Sequence, residues 1–107
     1  MYIFVIKPLR EKRNISLYSL SKFTGISRTY LRSLENNQVF NPTMQILYKI
    51  ANALNVSIKD LFYYGNDIEK LRAEMHSRIE IFGLDSKEVL EISQIIDLLI
   101  NVKMKES

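Results

Sequence analysis

An all-α fold is what this 107-residue chain predicts: a compact bundle of five short helices, then a two-helix antiparallel hairpin. Three observations carry that reading. Between Ser16 and Asn36 two short runs of helically spaced apolar residues flank a single glycine, Gly25. From Met44 to Leu54 apolar residues recur every three or four positions, the period of one helix face. Beyond Asn66 two much longer helical patterns stand on either side of Gly83.

The elements follow in order. Tyr2 to Ile6 alternate as a short strand does, and this arm either tucks against its own domain or pairs across a dimer. Pro8 suits the first turn of a helix over 7–13, where its missing N–H costs nothing, with Leu9 inward and Arg10, Lys12 and Arg13 more exposed. Asn14 can take the left-handed conformation that ends it. Leu17, Leu20 and Phe23 share one face of the second helix, and Gly25 breaks it by supplying a positive φ. Ser27 caps the third helix, whose apolar positions are Tyr30, Leu31 and Leu34. After the Asn41-Pro42 loop, Thr43 caps the fourth, which presents Met44, Leu47, Ile50, Ala51 and Leu54 and closes at Asn55. Ser57 caps a fifth helix that docks Ile58, Leu61 and Phe62, and Tyr63 to Asn66 form a linker.

Composition narrows the function. Hydrophobic residues make up 47% of the chain, enough to fold. With no cysteine there is no disulfide scaffold, thiolate metal site or thiol nucleophile. The apolar opening MYIFVI is too short for a signal peptide, and no run is long enough to span a membrane, so a cytoplasmic, nucleoid-associated protein is expected. The net charge of +3 is unevenly spread. Residues 1–65 carry nine Lys/Arg against three Asp/Glu, and residues 66–107 six against nine. The first part suits a polyanion and the second is repelled by one. Two units with different partners are expected, 1–65 and 66–107.

Two short helices joined by a tight glycine turn, the second studded with Arg28, Thr29, Arg32 and Ser33, read as a DNA-binding helix-turn-helix. Arg28 can donate two hydrogen bonds to guanine O6 and N7, while Lys22 and Arg32 neutralise phosphates.

Residues 6–65 also resemble the lambda-repressor-like (Cro/CI/Xre) family of DNA-binding domains. The resemblance rests on Leu9-Arg10, Ser16, Leu20, Gly25-Ile26-Ser27, Leu31, Leu34-Glu35-Asn36, Pro42-Thr43, Leu47, Ile50-Ala51, Leu54-Asn55-Val56-Ser57 and Asp60-Leu61. It implies that the third helix lies in the major groove, with Ser27, Arg28, Thr29 and Ser33 reading bases and Arg32 reaching a base or a phosphate. It further implies a phosphate contact at Asn36, a structural pair between Arg10 and Glu35, and a dimer that reads two half-sites. The chain departs from the family at Leu17, where glutamine is common, and at Asn37, where glycine is usual.

The hairpin runs from Asp67 to Phe82 and from about Asp85 to Lys103. Ile68, Leu71, Met75, Ile79 and Phe82 form the first stripe, Gly83 ends that helix, and Asp85 with Glu88 makes a capping-box pattern for the next. In the last helix Val89, Ile92, Ile95, Ile96, Leu98, Leu99, Ile100 and Val102 span roughly 200° of the wheel, more than one partner helix covers. Self-association through that helix is the expected remedy. His76, the only histidine, sits on a polar face with no sign of a metal site.

Residues 68–100 resemble the short two-helix aspartyl-phosphate phosphatases that act on the sporulation response regulator of spore-forming bacteria. The matches are Ile68, Leu71, Arg72, Gly83-Leu84, Ser86, Val89-Leu90, Ser93-Gln94 and Asp97. The family signature Ser-Gln-Glu-Leu-Asp stands here as Ser93-Gln94-Ile95-Ile96-Asp97. The resemblance implies hydrolysis of a phosphoaspartate on another protein, with catalytic candidates Ser93, Gln94 and Asp97 and no cofactor or metal of its own. In that chemistry Gln94 would orient a water beside the Asp97 carboxylate. The combined expectation is a dimeric DNA-binding regulator reading an operator with its third helix. The alternative is a phosphatase of a phosphorylated response regulator.

Overall fold

The computed structural model describes residues 2–39 and 41–106, the last four as helical backbone. The order is β1 (Tyr2–Phe4), α1 (Ile6–Lys12), α2 (Leu17–Thr24), α3 (Arg28–Glu35) and α4 (Met44–Leu54). A 3₁₀ turn (Ile58–Leu61), β2 (Phe62–Tyr64) and a second 3₁₀ turn (Gly65–Asp67) follow, then α5 (Ile68–Phe82) and α6 (Lys87–Glu106). Helix boundaries follow local chemistry. The hydroxyls of Ser16, Ser27 and Thr43 accept the Ser19, Tyr30 and Ile46 amides at 3.0, 3.1 and 3.2 Å. Asn14, Asn37 and Asn55 all adopt positive φ where chain direction changes, a conformation asparagine enters more readily than most residues.

The N-terminal arm folds back on its own chain. β1 pairs antiparallel with β2, in the register Tyr2↔Tyr64, Ile3↔Tyr63 and Phe4↔Phe62. The stretch expected to be a linker is therefore partly strand, because three consecutive aromatics suit a pleated, half-buried surface. The expected fifth helix shrinks to one 3₁₀ turn for the same reason: Phe62 leaves it to join the sheet. Asp60 closes that turn by accepting the Ser57 amide at 3.0 Å.

One hydrophobic core runs through the described residues. Leu20, Leu31, Leu34, Leu47, Ile50, Leu54 and Leu61 from the bundle join Ile3, Val5, Ile6 and Leu9 from the arm and α1. Leu71, Ile92, Ile95, Ile96 and Leu99 from the hairpin belong to the same cluster. The reason is that α6 lies along α5 and also against α1 and β1. Much of its wide apolar arc is covered by the chain itself, with Leu98, Ile100 and Val102 left half-buried, so the surplus surface that argued for self-association through this helix is smaller than a lone partner helix would leave. A lone partner helix was too narrow an assumption, because the arm and α1 supply a second wall.

Four smaller expectations change. Phe23 is 67% exposed, and Thr24 takes the inward position of α2 beside Leu20. Met44 is 66% exposed, since the first turn of α4 projects past the core. Phe82 is exposed at the hairpin tip. The cap of α6 is Ser86, whose hydroxyl accepts the Val89 amide at 3.2 Å, and not Asp85.

Candidate nucleic-acid interface

The turn between α2 and α3 is held by hydroxyls as well as by its glycine. Gly25 sits at φ 73, where its amide still reaches the Ser21 carbonyl at 2.8 Å. Ser21 Oγ donates to the Ile26 carbonyl at 2.6 Å. Thr24 Oγ1 donates to the Leu20 carbonyl at 2.8 Å and accepts the Ile26 amide at 3.2 Å. Gly25 and Ile26 of the turn are thus tied to α2 before α3 begins.

On α3, Leu31, Leu34 and Glu35 face inward and are buried. The opposite face carries Arg28, Thr29 and Arg32, all exposed, with Ser33 half-buried at its edge. Ser27 spends one lone pair on the cap and keeps its hydroxyl proton for an outside acceptor. Asn36 is exposed just past the helix, its backbone amide bonded to the Arg32 carbonyl at 2.9 Å. Lys22, exposed on α2, holds its Nζ 5.0 Å from the centre of the Tyr18 ring, and the Arg28 guanidinium carbon lies 5.4 Å from that same ring. The sequence reading missed Tyr18, whose signal was an exposed aromatic one helical turn before Lys22. The seven residues expected to touch DNA therefore lie on α2, on α3 and at the residues that cap its two ends, Ser27 and Asn36.

Two ties fix this face to the rest of the molecule. Arg10 of α1 grips Glu35 at the end of α3 through two hydrogen bonds, Nε to Oε2 at 2.8 Å and Nη2 to Oε1 at 3.2 Å. Its remaining Nη1 donates to the Ile15 carbonyl at 3.0 Å. A forked pair of this kind sets orientation as well as distance. Asn37 supplies the second tie. Its side-chain oxygen accepts the Phe4 amide at 2.8 Å and its side-chain nitrogen donates to the Phe4 carbonyl at 3.4 Å, so that an amide caps the outer edge of β1 as a strand would.

On the hairpin, Ser93 and Gln94 are half-buried and Asp97 is exposed along the outer ridge of α6. Gln94 and Asp97 line a hollow against Lys7, Pro8 and Glu11 of α1, whereas Ser93 lines a different one with Met75, Ile79, Leu84 and Leu90. Ile95, at the signature glutamate's position, is 2% exposed within the shared core. Among the described residues no group of three or more His, Cys, Asp or Glu is placed to hold a metal ion. No helix among them is long and apolar enough to cross a membrane.

Glu91 joins the hairpin to the bundle, and sequence reasoning passed over it. It is buried, accepts Arg78 Nη1 of α5 at 2.9 Å and Nη1 of Arg13, the cap of α1, at 3.2 Å, and lies 3.7 Å from Lys12 Nζ. Burial works against the charge on Arg78, but the hydrogen bonds it donates to Glu91 and Glu74 outweigh it and hold the guanidinium above its ordinary pKa. A carboxylate four residues before Ile95, inside the apolar arc of α6, was the available signal.

A family description, Helix-turn-helix, matches residues 6–61, more than half of the chain and the same residues that form α1 to the first 3₁₀ turn. The chain belongs to the helix-turn-helix family. A second description, Spo0E like sporulation regulatory protein, matches residues 66–105, the hairpin. Among curated helix-turn-helix relatives, the HTH-type transcriptional regulator SinR of Bacillus subtilis is 38% identical over 64 residues, and that of Bacillus licheniformis 34%. Both alignments cover 60% of this chain and 58% of SinR, so the chain spans under two thirds of those relatives. An uncharacterized HTH-type transcriptional regulator of Archaeoglobus fulgidus is 34% identical over 62 residues, 58% of this chain and 86% of its own length.

Proposed function

We propose that this helix-turn-helix chain is a sequence-specific transcriptional regulator that acts as a homodimer on an operator in the bacterial cytoplasm. The observation that carries the reading is the outward face of α3. Three exposed donors, Arg28, Thr29 and Arg32, stand on one helix side whose back is buried and whose end is gripped by Arg10. Such a face has donors for base edges and a charge excess for phosphates. The test is binding of the full chain to DNA upstream of its own gene across a salt series. Selective binding that the Arg28→Ala, Arg32→Ala double variant loses supports the reading; equal binding to scrambled DNA sinks it.

For the dimer we favour the aromatic surface over the hairpin. Tyr2, Tyr64, Met44 and Tyr48 are exposed, and Tyr2 and Met44 border one hollow that has no charged residue in its lining. An uncharged patch suits a twofold interface, where any charge meets its own copy. The Asn37 tie to Phe4 sets this surface beside the end of α3, so a twofold axis there brings two recognition helices together. Sedimentation should show Met44→Glu as monomeric and Leu84→Glu, at the hairpin tip, as dimeric; the reverse would move the interface to the hairpin.

To the outer ridge of α6 we assign a protein partner, a phosphorylated response regulator, which Asp97 and Gln94 could meet without catalysis. Calorimetry with phosphorylated and unphosphorylated regulator, with and without Asp97→Ala, tests this assignment. No binding of either form removes it.

A further inference from the structure

We propose that Tyr18 is a positioning residue for base recognition: its ring holds the Arg28 guanidinium in the orientation that reads the operator. The inference rests on the operator reading above and goes beyond it by naming what aims the arginine.

Arg28 is the first residue of α3, where the positive end of the helix dipole disfavours a cation. No acidic residue stands in the first turn to offset it. A free arginine there would spread over many rotamers and lose that freedom on binding. Tyr18, exposed on α2, offers the missing partner. Its π-face lies within cation–π range of both Arg28, at 5.4 Å, and Lys22, at 5.0 Å. A ring that takes the flat face of a guanidinium leaves the N–H edge free, and the edge is what donates to guanine O6 and N7. The same ring also lies within range of Lys22, so one aromatic serves a phosphate-binding and a base-reading cation. The hydroxyl-tied turn between α2 and α3 keeps the ring and the arginine in register.

The experiment starts with selection of preferred DNA from a random pool by the full-length chain. If the unaltered chain enriches no sequence, the operator reading fails and the proposal falls with it, before any variant is made. Given an enriched site, Arg28→Ala identifies the base pair that Arg28 reads. Tyr18→Phe, which keeps the ring, should retain the preference at that pair. Tyr18→Leu should lower it by about three- to tenfold, with helicity unchanged because the side chain is half-exposed. In the Arg28→Ala background Tyr18→Leu should cause no further loss of preference. An equal loss of affinity on every sequence by Tyr18→Leu, or an unchanged preference, would overturn the proposal. So would Tyr18→Phe behaving like Tyr18→Leu, since the hydroxyl and not the ring would then be the agent.

Discussion

Glu91 of α6 accepts a hydrogen bond from Arg13, the residue that caps α1, at 3.2 Å, across 78 residues of sequence, and so joins the hairpin to the helix-turn-helix bundle. The same carboxylate answers Arg78 of α5 and Lys12 of α1, so one buried acid serves three cations, from α5, α1 and the cap of α1. Removing it strands guanidinium groups that are mostly withdrawn from water. Glu91→Ala should cost about 3 kcal/mol in urea unfolding, and Glu91→Gln less, because the amide oxygen still accepts. A loss under about 0.5 kcal/mol would mean that the joint rests on apolar packing alone.

Ile95 occupies the place of the signature glutamate and is buried. Restoring that residue with Ile95→Glu should not create a phosphatase. It puts an unpaired carboxylate into the core and should destabilise the fold by about 4 kcal/mol or more. A stable Ile95→Glu protein that speeds phosphate loss from a phosphorylated response regulator would contradict this.

Asn37 does two jobs, turning the chain at φ 57 and capping Phe4. Asn37→Gly keeps the turn and loses the cap, a cost of about 1 kcal/mol. Asn37→Ala loses the cap and adds left-handed strain, for about 2 kcal/mol. Thermal melts of the two variants should rank in that order.

Arg28 and Lys22 should separate in DNA binding. Arg28→Ala should cost about 1–3 kcal/mol and relax preference at one base pair. Lys22→Ala should weaken binding on all sequences and reduce the slope of log K against log salt by about 1. Competition titrations at several salt concentrations distinguish the two patterns.

Tyr63 gives the fold an alkaline limit. Burial raises its pKa above the ordinary 10.0, and the charges of Glu74 and Asp60 push the same way. The folded chain therefore keeps the phenolic proton longer than the unfolded one. Its contribution to stability is complete below the unfolded value and fades as pH climbs through the raised folded value. Tyr63→Phe should unfold less steeply at high pH, as followed by helicity and tyrosinate absorbance. Identical alkaline limbs would assign the transition to other groups.

Much of this protein was legible in its residues. Caps at Ser27 and Thr43, the break at Gly25 and the left-handed turns at Asn14 and Asn55 depend on a few adjacent atoms, so local chemistry determined them. The outward face of α3 was readable for the same reason, since the period of a helix sorts Arg28, Thr29, Arg32 and Ser33 from Leu31 and Leu34 without reference to anything distant. What tertiary structure decided lies where distant segments meet. Whether the arm pairs with Tyr63 or with another chain, whether Phe23 or Thr24 turns inward, and what covers the wide arc of α6 all depend on which surfaces arrive beside them. Glu91 escaped notice because its partners come from other elements, and no spacing along the chain encodes a distance between α1, α5 and α6; Tyr18 shares α2 with Lys22, but Arg28 reaches it from α3. The sequence by itself determined the helices and the chemistry each exposes; packing decided that the hairpin completes the core of the bundle, because burying one apolar face requires another to be near.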